Sequence, residues 1–356
     1  MRAITLKLIP GDGIGVEVMI EARRVLDRLA DLHGGLAFRY HDLPWSCAWS
    51  LGHGGVMMPA DGLEILADGE AILLGAVGFP GVPDHVSLRG LLLPIRMGFD
   101  QYVNLRPVKL LPGLDSPLRV ADPAAIDFVV LRENTEGEYC GAGRLENPGT
   151  PDETAIQEAR FTRKGTERII RYAFDWARDH GKGSVVSATK SNALNHSMVF
   201  WDRVCAEVAA GYPEVACTGM HIDALAGLFI LHPERLEVVV ASNLFGDILT
   251  DLGSAMLGSI GISPSANIDP SGRHPSMFEP VHGSAPDIAG RGLANPTGML
   301  WTVALMLGHL QLPDLAARLM DALSDVLAAR IVRTPDLGGT ATTRAMTDAV
   351  MARLDA

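Results

Sequence analysis

Cysteine is scarce in this chain. Cys47, Cys140, Cys205 and Cys217 are the four among 356 residues, and none stands in a C-x-x-C pair or at zinc-like spacing. Neither a disulfide framework nor a cysteine-based zinc site is expected, and a reduced, cytoplasmic protein is. Long apolar runs are lacking as well. The stretch 299–307 is much shorter than the about 18 residues that a membrane span requires. The N-terminal MRAITLKLIPGDG reaches Pro10 and Gly11 before any signal-peptide core has built up. Basic charge is under-represented: 30 Lys and Arg face 42 Asp and Glu, a net charge of −12. Neither a membrane nor a nucleic acid is an expected partner, since the latter calls for a basic face. A small anionic substrate stays open, because a few arginines can dominate one pocket. Walker A and G-x-G-x-x-G motifs, internal repeats and low-complexity segments are all missing.

What is there is an ordinary globular composition, 47% apolar and 20% charged. The length suits two domains at about 150 residues each, or one large one. Short β-like runs at 4–9, 71–76, 126–131, 184–188, 215–222 and 236–241 alternate with helical spacings. Val16, Met19, Ile20, Val25, Leu26 and Leu29 recur at helical spacing until Gly34 and Gly35 stop the run. Ile169, Ile170, Ala173, Phe174 and Ala177 form a second helix face that ends at Gly181, and 199–210 reads as a third helix. The alternation predicts an α/β protein with largely parallel strand pairing. Pro- and Gly-rich segments at 78–83, 146–151 and 270–275 read as loops. None is long enough to be an interdomain linker, so two domains would be crossed more than once.

Several polar groups stand where α/β proteins gather chemistry. GDGIG (11–15) follows a strand and opens a helix, but its third glycine comes one residue early for a dinucleotide fingerprint, and a tight turn is the expected reading. Arg96 lies on a helix striped by Leu88, Leu91, Leu92, Ile95 and Phe99. Arg106 follows the strand-like YVNL, and Arg132 ends the strand-like IDFVVL. Guanidinium forks bind carboxylates in a bidentate manner. Three unrelated surface arginines remain the alternative. Asp247 and Asp251 are four apart and share one helix face. Such oxygen donors suit Mg2+ or Mn2+. A solvated acidic face is the alternative, although the surrounding SNLFG and LGSAMLG are almost uncharged. Asp223, after the strand-like MHI, is a candidate third carboxylate. Tyr139 and Lys190, each after a strand-like run, are candidate proton movers, a lysine beside a cation being the more readily deprotonated. FEPVHGSAPDIAG (278–290) reads as a rigid loop with backbone amides free for a nucleotide.

Taken together, these segments resemble the β-decarboxylating dehydrogenases, which act on isocitrate, 3-isopropylmalate, tartrate or D-malate. The resemblance runs from PGDGIG (10–15) through R-x9-R (96 to 106), LRENTEGEY (131–139), TKSNAL (189–194), HIDAL (221–225), NLFGDILTDL (243–252) and FEPVHGSAPDIAGRGLANPTG (278–298) to TPDLGGTATT (334–343). It implies an isopropylmalate-dehydrogenase-like two-domain α/β fold, not a Rossmann fold. Residues 1–101 plus 259–356 would form the larger, dinucleotide-binding domain, and 102–258 the smaller domain with the metal site and the dimer interface. It implies that Arg96, Arg106 and Arg132 clamp the substrate carboxylates. Asp247 and Asp251 would hold Mg2+ or Mn2+ together with Asp223 from the other subunit of a homodimer, which would also supply Lys190. Tyr139 would protonate the enol. Glu279, His282, Gly283, Ser284, Ala285, Asp287 and Asn295 would meet NAD, the aspartate at 287 marking NAD users where NADP users carry lysine, and tyrosine in place of Ile288.

The flanking PWSCAW (44–49), GAVGFPGVPDHVSL (75–88), FDQYVNLRP (99–107) and NIDPSGRHPSMFEP (267–280) are similar to the tartrate/D-malate branch. The implied reaction is oxidation and β-decarboxylation of a D-malate-type 2-hydroxy acid. The alternatives are 3-isopropylmalate dehydrogenation, suggested by Leu92 and Leu93, and a non-catalytic regulatory paralogue. Arg89 stands where that branch usually has tryptophan, one heptad before Arg96, and leaves the substrate open.

Overall fold

The computed structural model describes residues 2–119 and 122–355. Its strands are β1 (Arg2–Gly11), β2 (Leu36–Asp42), β3 (Ala71–Ala76), β4 (Val103–Lys109), β5 (Asp127–Glu133), β6 (Gly143–Glu146), β7 (Thr154–Gln157), β8 (Ser184–Thr189), β9 (Ala216–His221), β10 (Val238–Ala241), β11 (Pro264–Ile268) and β12 (Ser276–Pro280). The helices are α1 (Ile14–His33), α2 (Cys47–Leu51), α3 (Gly62–Ala67), α4 (Asp84–Ser87), α5 (Leu93–Gly98), α6 (Arg163–Asp179), α7 (Ser197–Ala209), α8 (Ile222–Leu231), α9 (Asn243–Met256), α10 (Thr297–His309), α11 (Pro313–Ala329) and α12 (Thr343–Leu354).

One ten-stranded sheet runs in the order β2-β1-β3-β12-β11-β4-β5-β10-β8-β9, and β6 pairs with β7 apart from it. β3 and β10 are buried at every residue, as unbroken apolar runs covered on both faces must be. Pairing is parallel on both flanks, as the alternation predicts. The centre differs: β11 is antiparallel to β12 and β4, and β4 is antiparallel to β5. The reason is local. The 269–275 loop returns β11 directly into β12, a hairpin with no crossover helix. An antiparallel centre is incompatible with a Rossmann sheet. Among the described residues no helix is long and apolar enough to cross a membrane.

Buried amides fasten the central pairing. Asn104 Nδ2 donates to Ser265 Oγ at 2.9 Å and to Asn267 Oδ1 at 3.0 Å, and Asn134 Nδ2 reaches the same oxygen at 2.9 Å. Gln101 Nε2 donates to the Pro275 carbonyl at 2.8 Å. Such groups are costly to bury unless paired, so they pin the β4–β11 register (Ala266 opposite Leu105) where the segments 1–101 and 259–356 meet 102–258.

Three local features depart from the sequence reading. Val16 and Ile20 of α1 are exposed (44% and 55%), and the inward face is Ile14, Val18, Ala22, Val25 and Leu29. The helix carrying Arg96 widens into a π-helical turn over Leu88–Leu92 between α4 and α5. Pro94 lies in the first turn of α5; it donates no backbone hydrogen bond and its ring crowds the carbonyl of Gly90, which the wider turn relieves. Finally, Phe278, Glu279 and Pro280 belong to β12 rather than to a loop.

GDGIG is a tight turn. Gly13 has φ 56°, and a Cβ there would run into the carbonyl of Ser284, whose oxygen accepts a hydrogen bond from Ile14 N at 2.9 Å. Gly13→Ala should therefore cost about 1–3 kcal/mol or more. Gly54→Ala, at φ 65° in open space, should cost less. Urea unfolding midpoints of the two variants check the ranking.

Candidate active site

The site grows from one face of α9. Asn243, Asp247, Thr250 and Asp251 follow one another at helical spacing (i, i+4, i+7, i+8), so their side chains project together. Opposite them, β4 and β5 pair with Arg106 facing Val130 and Asn104 facing Arg132, which turns both guanidinium groups to the same side of the sheet. Arg106 lies within β4 rather than after it. Arg132 donates from Nε and Nη2 to Asn243 Oδ1 at 3.1 and 2.7 Å, and from Nη1 to Asp247. Arg106 donates to Thr250 Oγ1 at 2.6 Å and lies 3.9 and 3.8 Å from Asp247 and Asp251. Arg96, on α5, donates to Glu279 at 2.6 Å, and Asn267 Nδ2 supports the same carboxylate at 2.7 Å. Tyr139 Oη donates to Asp247 Oδ2 at 2.8 Å. Glu138 accepts from Ser242 Oγ and Leu244 N at the start of α9, a placement that complements the positive end of that helix.

Burial dominates the electrostatics. It pushes Arg106 down to about 10, with Arg132 adding repulsion and Asp247 opposing it. Burial also lowers Arg132, against the pull of Asp247. Alone it would raise Asp247, but Arg132, Arg106 and the Tyr139 hydroxyl outweigh it and hold that carboxyl below its ordinary range. Tyr139 is raised by burial and by Asp247, so its hydroxyl keeps its proton. The Nε atoms of Arg96 and Arg106 are buried without a protein acceptor among the described residues. Unmatched buried donors of this kind fit an anionic ligand.

These groups line a cleft of about 240 Å3 that includes Arg96, Arg106, Arg132, Tyr139, Asp247 and His282. Glu279, expected among the cofactor contacts, is on the wall of this cleft beneath Arg96. Asp251 is exposed and does not line this cleft, although it lies 3.8 Å from Arg106, which does. A second cleft of about 510 Å3 is lined by Ile14, Ile260, Ala285, Ile288, Asn295 and Asp336. His282 and Gly283 line both. Burial lowers the His282 imidazole and favours its neutral form, and its Nε2 has no protein partner among the described residues. Ser284 is buried beneath the loop against the GDGIG turn, and Asp287 is exposed between the lining residues Ala285 and Ile288.

Lys190 and Asp223 line neither cleft. They follow the adjacent strands β8 and β9 and pair with each other at 2.8 Å, which lowers the Asp223 carboxyl. Among the described residues no three acidic, histidine or cysteine side chains gather closely enough to hold a metal. Asn243, Thr250, Glu138 and Asp336 were absent from the sequence reading. The spacing of the first two around Asp247 and Asp251 was the available signal. Asp336, in the TPDLGG turn, accepts from Ser259 Oγ at 2.6 Å and Asn295 Nδ2 at 2.9 Å, a link only the folded chain reveals.

The isocitrate/isopropylmalate dehydrogenase family model matches residues 5–350. The chain belongs to that family. It is 52% identical over 355 residues to a probable tartrate dehydrogenase/decarboxylase of Bacillus subtilis, covering 99% of both chains. It is 49% identical over 357 residues to the decarboxylating D-malate dehydrogenase of Escherichia coli, covering 98% of both. The fold is that of the family: isocitrate dehydrogenase from Methylococcus capsulatus superposes with a TM-score of 0.88 at 32% identity, each chain fully covered.

Asn243→Ala removes the oxygen that takes two N–H groups of Arg132. Hydrogen bonds to a charged group contribute about 1.5–3 kcal/mol, so the variant should lose stability on that scale. A urea unfolding curve of the variant beside the unsubstituted chain checks this.

Proposed function

We propose that the chain is a cytoplasmic, NAD-dependent, divalent-metal-dependent dehydrogenase that oxidises and β-decarboxylates a D-malate-type 2-hydroxy acid. The carrying observation is the pair of clefts that share His282 and Gly283, an arginine-lined one beside a protonated tyrosine and a larger one floored by the 282–295 loop. The names of the tartrate- and D-malate-acting relatives support the same reading. Asp247 and Asp251 offer hard oxygen donors one turn apart, a donor set that suits Mg2+ or Mn2+. Asp223 and Lys190 would be contributed by a second copy of the chain, in a homodimer whose sites are shared. The unpartnered His282 Nε2 and the apolar second cleft suit a dinucleotide. In domain terms, 1–101 plus 259–356 would carry the dinucleotide, and 102–258 the metal site and dimer interface.

In this reading Arg96, Arg106 and Arg132 bind the carboxylates and fix the substrate's register. Lys190 takes the proton of the 2-hydroxyl. NAD held along the 282–295 loop would supply the hydride acceptor, and a divalent metal held by Asp247 and Asp251 would supply the positive charge that favours CO2 loss. Tyr139, kept protonated by burial and Asp247, returns a proton to carbon. Asp287 would meet the adenosine ribose hydroxyls and repel a 2′-phosphate, so NAD should be preferred over NADP by well over about tenfold.

Arg89 bears on the substrate. It is exposed, has no acidic partner among the described residues, and lines a cavity of about 370 Å3 that shares Leu88 and Tyr139 with the first cleft. Leu88 and Leu92 in the first cleft favour the second reading, an apolar substituent as in 3-isopropylmalate. Comparing kcat/KM for D-malate, tartrate and 3-isopropylmalate, with NAD and Mn2+, tests the proposal. The expected order places D-malate or tartrate first, and absence of turnover with all three would favour the non-catalytic paralogue. Arg89→Leu should shift the tartrate-to-isopropylmalate ratio toward isopropylmalate by about tenfold or more, the effect of one charge-assisted hydrogen bond.

Shared sites have a direct consequence. Lys190→Ala and Asp247→Ala chains, each inactive alone, should regain activity as mixed dimers, because one of the two sites then keeps both groups. Verified heterodimers that stay inactive would place each complete site within one chain.

A further inference from the structure

Cys205 and Cys217 lie outside both clefts. Cys205 sits in α7 and is buried, whereas Cys217 sits in β9, the edge strand, and is exposed. The chain leaves α7, turns through Gly211 and Tyr212, and returns as β9, which brings the two Sγ atoms to 3.6 Å. The two thiols are not equivalent. Cys205 is pushed up by its contact with Cys217 and by burial, so it keeps its proton, while donation from Cys205 lowers Cys217 against its own partial burial. The exposed sulfur is therefore the better nucleophile and the buried one is poised behind it. The remaining cysteines lack this arrangement. Burial and Asp12 push Cys47 up to about 11, and Cys140 donates to the Glu158 carbonyl at 3.2 Å.

We propose that Cys205 and Cys217 form a modification site, a reversible intramolecular disulfide with a peroxide as its oxidant. The Cys217 thiolate attacks one peroxide oxygen. The O–O bond breaks, the departing hydroxide takes up a proton as water, and Cys217 becomes a sulfenic acid. The Cys205 sulfur then attacks Cys217 Sγ, and the sulfenic hydroxyl leaves with the Cys205 proton as a second water. Two thiols lose two electrons, and one peroxide is reduced to two waters. A dithiol reductant reverses the bond by exchange through a mixed disulfide, its own two thiols becoming the new disulfide. Closure requires the sulfurs to approach from 3.6 Å to about 2.05 Å. The bond would tie α7 to a strand that is exposed over residues 216–219 and that runs into Asp223.

The test treats the reduced, full-length protein with one equivalent of hydrogen peroxide, alkylates the remaining thiols and maps the peptides. Before alkylation the expected product is an intact chain lighter by about 2 Da, and after it a 205–217 linked peptide that a dithiol removes. Cys140→Ser should leave the link unchanged. Cys205→Ser should abolish it and leave Cys217 as the sulfenic acid, which a second equivalent of peroxide carries on to the sulfinic acid, and Cys217→Ser serves as the second variant if the buried substitution unfolds the chain. Recovery of Cys205 in its alkylated, reduced form while Cys217 is oxidised or still free would overturn the proposal, as would a link joining two chains.

Discussion

Three guanidinium groups are held where water barely reaches: Arg96, Arg106 and Arg132 are 6%, 9% and 2% exposed. Cations in such a place are tolerable only with fixed acceptors, and removing one partner costs more than the pair contributed. The acceptors come from separate parts of the chain: Glu279 from β12, and Asn243, Asp247 and Thr250 from α9. Meeting that one constraint therefore fixes the strand register, the rotation of α9 and the entry of α5. Lysine would not substitute, since Arg132 serves two acceptors through one rigid planar fork.

The same charge balance sets the chemistry. Asp247 is shared by Arg132, Arg106 and Tyr139, so a cation arriving at that carboxylate competes with groups already placed around it. Arg132, Arg106 and Tyr139, the proposed clamp and proton donor, are thereby coupled through a single oxygen pair. The loop that starts at His282 grows directly from β12, the strand that carries Glu279. Only Pro280 and Val281 stand between Glu279, on the wall of the first cleft, and His282, which lines both.

Much of this was legible before folding. β3 and β10 coincide with unbroken apolar runs, and α6 with a clear amphipathic stripe, because burial on one or both faces writes itself into spacing. The arginines, Tyr139 and Asp247 stood out by chemical type and by motif, and the fold brings them into one cleft. The antiparallel centre was not legible, since β4 and β11 carry asparagine, serine and proline at positions where a tertiary amide network replaces apolar packing. Val16 and Ile20 misled for the opposite reason: apolar residues can remain exposed, and spacing alone does not choose between neighbouring faces. Asn243, Thr250 and Asp336 are short and polar, and their use depends on neighbours distant in sequence. The same holds for Cys205 and Cys217, whose proximity arises from the turn between a helix and an edge strand.

The position of β12 has a consequence for how the chain is made. β12 lies between β3 and β11, so β3 keeps one bare edge until residue 280 has left the ribosome. The strands β5, β10 and β8 are contiguous in the interval 127–241 and can pair earlier. Nascent chains thus carry an open, wholly apolar strand edge through most of their synthesis, and such edges recruit other strands. The strands β1, β2 and β3 can pair among themselves early, but the junction that joins them through β12 to the rest of the sheet waits for the last third of the polypeptide.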